Sequence, residues 1–181
     1  MKIKKREFNL NGHQLVLRTA KKEDAQNLLS HLKQFYAESK YLIKEPEEVQ
    51  VTLEEEYDWI DEHLNSDNSL LIMAEVDGKY VGDASFEGTT LSRQKHRVSL
   101  GIFILKDYTN MGIGTHLMET LIEEARKTSI EQIELICIND NAIAMHVYEK
   151  LGFKKCGTLP RYNKYKDGSY VDASYMILNL K

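Results

Sequence analysis

The chain has 181 residues, 42% of them apolar and 29% charged, with 24 Lys and Arg against 28 Asp and Glu for a formal charge of −4. That composition fits one globular domain, residues 1–181, large enough to bury a sheet under helices. The charge excludes a general attraction to nucleic acid or to an anionic membrane surface, and suits small cationic ligands.

Two cysteines and six scattered histidines offer no disulfide framework and no metal-ligand spacing. Cys137 and Cys156, both in predicted strands, are expected to be small core residues. The basic start MKIKKREF lacks the apolar run of a signal peptide, and no stretch reads as a membrane span, so the cytoplasm is the expected location.

In chain order, Ile3 to Leu10 and Gln14 to Arg18 read as strands joined by an Asn11-Gly12 turn. Thr19 is the expected N-cap of a helix from about Lys22 to Glu38, with Ala25, Leu28, Leu29, Leu32 and Phe35 on one face. Residues 39–51, with Pro46 and the acids Glu45, Glu47 and Glu48, read as a loop. Thr52 and Glu55 form a capping box before a helix that carries Tyr57, Trp59, Ile60 and Leu64. Ser69 to Val76 and Lys79 to Phe86 are strands around Asp77-Gly78, and Glu87 to Lys95 is a polar connection.

The central stretch is Val98 to Gly114. Val98, Leu100, Ile102 and Ile104 alternate with Ser99, Gly101, Phe103 and Leu105 in a strand that runs into a turn, Lys106 to Met111. Gly112-Ile113-Gly114 then opens a helix with Leu117, Met118, Leu121, Ile122 and Ala125 at helical spacing. A strand, a glycine turn and a helix N-terminus together aim backbone N–H groups at one point and favour phosphate. The dinucleotide fingerprint fails, because Leu117 stands where the third glycine belongs. The phosphate-loop pattern Gly-Lys-Ser/Thr is absent too.

Ile133 to Ile138 is the next strand, and Asn139-Asp140-Asn141 caps a short helix, Ala142 to Leu151, that ends at Gly152. Ile143, Val147 and Leu151 form the expected core stripe. Asn141, Ala144 and Tyr148 share a neighbouring stripe, where a small residue beside a tyrosine leaves room for a ligand. Phe153 to Thr158 and Val171 to Leu180 close the chain around a polar loop, Pro160 to Tyr170. Mostly antiparallel strands with interspersed helices make the fold class α+β, or mixed α/β.

Together these motifs resemble the Gcn5-related N-acetyltransferase (GNAT) superfamily. The family pattern Gln/Arg-x-x-Gly-x-Gly/Ala falls on Thr109 to Gly114, and Asn-x-x-Ala-x-x-x-Tyr-x-Lys-x-Gly-Phe falls on residues 141–153. The departures are Thr109 at the Gln/Arg position and Asn110 where Gly is common. The resemblance implies a central, mostly antiparallel twisted sheet whose fourth and fifth family strands are parallel and splay apart, flanked by about four helices.

It further implies acetyl-CoA in the gap between the splayed strands, with no metal. The backbone of Ile102, Phe103 and Ile104 would meet the pantetheine arm, and the N–H groups of Thr109, Asn110, Met111, Gly112, Ile113 and Gly114 the pyrophosphate. Asn141 would hydrogen-bond the pantetheine or neighbouring backbone. An amine attacks the thioester directly, the Ile104 N–H supports the oxyanion, and Tyr148 protonates the departing thiolate. Glu87 is the expected base, with His96 or water as the alternatives.

Tyr36, Tyr41 and the acids of 45–48 lie where the family has its acceptor loop. The acceptor, a small-molecule amine or a protein or peptide amine, is set by the loops at 39–51, 87–95 and 160–170. The Gly168 to Asp172 turn resembles that of small bacterial members, and a homodimer is compatible with the family. The rival functions are a non-catalytic acyl-CoA-binding sensor and a site for another nucleotide such as NAD or ATP.

Overall fold

The computed structural model describes residues 1–181. One sheet of eight strands runs through the molecule in the order β1-β2-β3-β4-β5-β6-β8-β7. The strands are β1 (Arg6–Leu10), β2 (His13–Thr19), β3 (Leu70–Val76), β4 (Lys79–Gly88), β5 (Arg97–Ile104), β6 (Gln132–Ile138), β7 (Lys154–Lys164) and β8 (Tyr170–Asn179). The helices are α1 (Ala25–Glu38), α2 (Leu53–Asn65), α3 (Ile113–Arg126) and α4 (Ala142–Lys150). The only parallel neighbours are β5 and β6, as a strand–helix–strand crossover through α3 requires.

That parallel pair is short. It holds only Arg97 with Gln132, Val98 with Ile133 and Ser99 with Glu134. Beyond that point β5 stays paired to β4 as far as Ile104, and β6 stays paired to β8 as far as Ile138. Two strands bonded on their outer sides and released from each other must diverge, and a gap opens between them.

The two sheet faces carry separate cores. Against one face α3 packs Ile113, Leu117, Met118, Leu121, Ile122 and Ala125, all buried together with strand residues such as Leu70, Ile72, Ala74, Phe86 and Ile133. On the other face α1 and α2 pack Ala25, Leu28, Phe35 and Ile60 over Leu71, Met73 and Tyr80. The predicted capping box of α2 is present: Thr52 Oγ1 accepts from Glu55 N at 3.2 Å, and Glu55 Oε2 from Thr52 N at 2.8 Å.

Four local expectations differ. Thr19 ends β2 and accepts from Ile3 N, while a 3₁₀ turn, Lys22–Asp24, leads into α1. There Asp24, third residue of the turn, reaches back to accept from Lys21 N at 2.7 Å, and it precedes α1 without a side-chain cap bond of its own. Ile143 is 67% exposed, because α4 turns Ala144, Met145 and Tyr148 toward the core, whereas Leu151 of the expected stripe does pack there. Cys156 is exposed, left out of the ladder by a register shift between Lys155 and Gly157 on the edge strand β7. The predicted loop 160–170 is shorter than expected: β7 runs on to Lys164, and only residues 165–169 turn back into β8. Pro160 and Arg161 sit in a bulge, where the Arg161 N–H donates to the Asp172 carboxylate at 2.8 Å, and pairing resumes at Asn163.

Candidate active site

The gap between β5 and β6 opens as a cleft of about 300 Å³. Its walls include Ser99 and Leu100 of β5, Ile136 and Ile138 of β6, and Tyr41 and Ile43 from the segment after α1. At one end lies a polar cluster. Arg97 Nη2 and the Tyr175 hydroxyl both donate to Glu134 Oε2, Arg97 Nη2 also reaches Tyr175 Oη at 2.9 Å, and Ser99 Oγ lies 3.4 Å from Glu134 Oε1. The sequence reading missed this cluster. Its signal was a charge on each of two strands, Arg97 and Glu134, which is legible only once their register is known.

The far end of the gap is made of backbone. Leu105 N donates to Val81 O on β4 at 2.9 Å. Strand alternation then turns the N–H groups of Ile104 and Ile102 the other way, toward the gap, and that of Phe103 toward β4. The turn after β5 holds Asn110 at φ 62° and Gly112 at φ 85°, the second as the residue preceding α3. Glycine meets that left-handed conformation without a Cβ penalty. The first helical turn lies directly against the strand: a Cβ on Gly114 would stand 3.3 Å from Ile104 Cδ1.

Here the chain leaves donors unused. The N–H groups of Asn110, Met111, Gly112, Ile113, Gly114 and Thr115 have no acceptor within the protein, and the first bond of the helix is His116 N to Gly112 O at 3.2 Å. Thr109 differs, since its N–H and its hydroxyl both donate to Lys106 O, at 3.2 and 2.8 Å. Six free amides with the positive end of a helix dipole are a ready anion site. The donor set fits a pyrophosphate.

Tyr148 projects from α4 into the core side of the same region, tilted against Phe153 at 5.8 Å between ring centres. Burial, and then the neighbouring Cys137 thiol, pushes its phenol well above the usual value, so it remains a proton donor at neutral pH. Its hydroxyl makes no hydrogen bond within the chain, unlike those of Tyr80 and Tyr175. Asn141 caps α4, its Oδ1 accepting from Ala144 N at 3.2 Å.

Glu87 lies on the sheet face of Ser99, its register partner on β5, and Ser99 in turn pairs with Glu134. Its carboxylate has His63 Nε2 at 3.5 Å and accepts from Trp59 Nε1 at 3.0 Å, and these two hold it below the ordinary carboxylate range. His96 sits just before β5, its carbonyl accepting from Glu131 N and Gln132 N. Neither side chain is part of the cleft wall. Of the acids around Pro46, Glu45 pairs with Lys166 at 2.9 Å, whereas Tyr41 does line the cleft.

Residues 28–153 match the model of the acetyltransferase (GNAT) family. The chain belongs to that family. Over 106 residues it is 35% identical to the L-amino acid N-acetyltransferase AaaT of Escherichia coli, a match that covers 58% of this chain and 65% of that protein. A crystal structure of a GNAT-family acetyltransferase from Streptococcus pneumoniae superposes with a TM-score of 0.87 at 28% identity, covering 91% of this chain and 99% of that one. A Salmonella typhimurium structure solved with its cofactor acetyl-CoA shares the fold, with a TM-score of 0.81 at 20% identity over 92% of this chain and 94% of its own. The parted strands β5 and β6 thus belong to a GNAT-family fold.

Proposed function

We propose that this GNAT-family chain catalyses N-acetylation, moving the acetyl group of acetyl-CoA to an amine. The observation that carries the reading is the run of six acceptor-free amides, Asn110 to Thr115, at the mouth of the gap between β5 and β6. Acetyl-CoA supplies a thioester carbonyl that an unprotonated amine attacks. The chain's own part is to place the two. Asn110 to Thr115 hold the pyrophosphate, the inner N–H groups of Ile102 and Ile104 face the acetyl-pantetheine arm, and Asn141 Nδ2, which its capping role leaves free, offers another donor.

The Ile104 N–H is the donor proposed for the developing oxyanion, a role worth roughly 3 kcal/mol of barrier. The Tyr148 hydroxyl gives its proton to the departing sulfur. Glu87, ionised at neutral pH as a carboxylate ordinarily is and held lower still by His63 and Trp59, accepts the ammonium proton through water and Ser99. The acceptor enters past Tyr41 and Ile43. Acetyl-CoA supply and the two free thiols fit the cytoplasm, and the E. coli relative fits a bacterial source.

The test is calorimetric titration with acetyl-CoA, with NAD and ATP as controls, followed by thiol release over a panel of amines. Binding of acetyl-CoA alone with thiol release is expected. Binding without release on any amine would make the chain an acyl-CoA sensor, and no binding would remove the reading altogether.

A further inference from the structure

A second cavity, also of about 300 Å³, lies between α1 and α2 over β4 and β5, away from the polar cluster of the cleft. Its walls are apolar: Leu28, Leu32 and Phe35 of α1, Trp59 of α2 and Phe103 of β5. Three carboxylates line it as well: Glu55, exposed and engaged in the Thr52 capping box, and two buried ones that the cleft does not use. Asp83 of β4 is 5% exposed and Glu56 of α2 is 6% exposed.

Their partners are too few. The Tyr80 hydroxyl donates to Asp83 Oδ2, on a face the two residues share because the β3–β4 register shifts beside Glu75. Asp83 Oδ1 and both oxygens of Glu56 receive no hydrogen bond and no ion pair within the chain, yet neither residue is sealed off, since both line the cavity. No Lys, Arg or His lines it. Carboxylates are almost never buried unless they are paired, so this arrangement lacks a cation.

The chemistry of the wall says which kind. No group of three or more His, Cys, Asp or Glu residues is placed to hold a metal ion. Aromatic faces and leucines around two acids instead suit a cation with an apolar body, as ring faces attract organic ammonium groups. We propose that this cavity binds an organic ammonium ion, a primary alkylamine whose charged head sits between Asp83 and Glu56 and whose chain lies along Phe35 and Phe103.

The shifted acidity of the two carboxylates agrees with that placement. Burial raises both, and Asp83 reaches about 7 because the charge of Glu56 adds to its burial while the Tyr80 hydroxyl opposes them. The groups facing Asp83 are Tyr80 from its own strand and Glu56 and Glu55 from α2; α1 and β5 present only apolar side chains there. The alkylamine could be one end of an acceptor or a separate effector. The cavity and the cleft share a sheet face, and over Gly101 between them a Cβ would meet only Ser85 Oγ, at 3.8 Å.

Calorimetry at pH 8 without acetyl-CoA tests the site independently of acetyl transfer, so its failure and the failure of the acetyltransferase reading are separable. The probes are n-pentylammonium, 1-pentanol and pentanoate. The expected result is that n-pentylammonium binds and the other two bind at least about tenfold more weakly. Asp83→Asn and, as a second variant on another element, Glu56→Gln should each weaken n-pentylammonium about tenfold with acetyl-CoA affinity unchanged. Equal binding of pentanol, unchanged affinity in both variants, or no binding to the wild-type chain would overturn the proposal. Inhibition of acetylation by n-pentylammonium then separates the sources: competition with the acceptor assigns an acceptor subsite, and any other pattern an effector.

Discussion

The gap between β5 and β6 and the cavity between α1 and α2 are similar in size and lie on one sheet, but they are built from different parts of the chain. The far end of the gap presents backbone: free amides from Asn110 to Thr115 and the inner N–H groups of Ile102 and Ile104. The cavity presents side chains: Asp83 and Glu56, held among Phe35, Trp59 and Phe103. Backbone donors are common to every sequence of this fold and cannot be tuned by substitution, so they suit the invariant half of a reaction. Buried carboxylates carry a desolvation penalty and appear only where particular residues converge, so they suit what distinguishes this chain from others.

The largest effect expected from this contrast is on stability. Burial raises the Asp83 pKa from an ordinary 3.8 to about 7, so the folded chain binds a proton there that the unfolded chain has released. For this group, stability is therefore full below about pH 4 and falls as pH rises to about 7, after which it is flat. Asp83→Asn removes the penalty. Its thermal or urea midpoint should match wild type near pH 4 and exceed it at pH 8, by on the order of 4 kcal/mol. Equal stability at both pH values would mean that the cavity already neutralises its acids.

A smaller effect belongs to the gap. Tyr148→Phe should lower turnover at least about tenfold while acetyl-CoA affinity, measured by titration, stays within about twofold, because the pyrophosphate grip is backbone. A variant with full turnover would take the proton-donor role from Tyr148. The smallest effect sharpens the backbone argument. Thr109→Arg restores the family's cation beside the amides and should tighten acetyl-CoA by no more than about fivefold at low salt, fading as salt rises. A much larger gain would show that side-chain charge, not backbone, limits affinity here.

How legible each region was follows from the same distinction. Gly112, Gly114 and the stripe from Leu117 to Ala125 are local signals, because a left-handed turn and an amphipathic helix are decided within a few residues. The Thr52 and Glu55 box is local in the same way. Tyr148 stands out through a thirteen-residue pattern, Asn141 to Phe153, that brackets the short helix α4. By contrast Ile143 was misplaced, because a nine-residue helix has several faces of comparable apolarity and only docking on the sheet selects one. Cys156 was misplaced because a bulge on an edge strand cannot be seen from alternation alone.

By itself, then, the amino-acid order determined the elements, the glycine turn before α3 and the family, since each depends on short-range backbone preference and spacing. Tertiary structure alone decided the rest. The gap exists because β5 and β6 part after Ser99 and Glu134, the Arg97–Glu134–Tyr175 cluster joins three strands, and Asp83 meets Glu56 only when α2 lies over β4. Contacts between distant parts of a chain are set by how layers pack, and no window of sequence contains both partners.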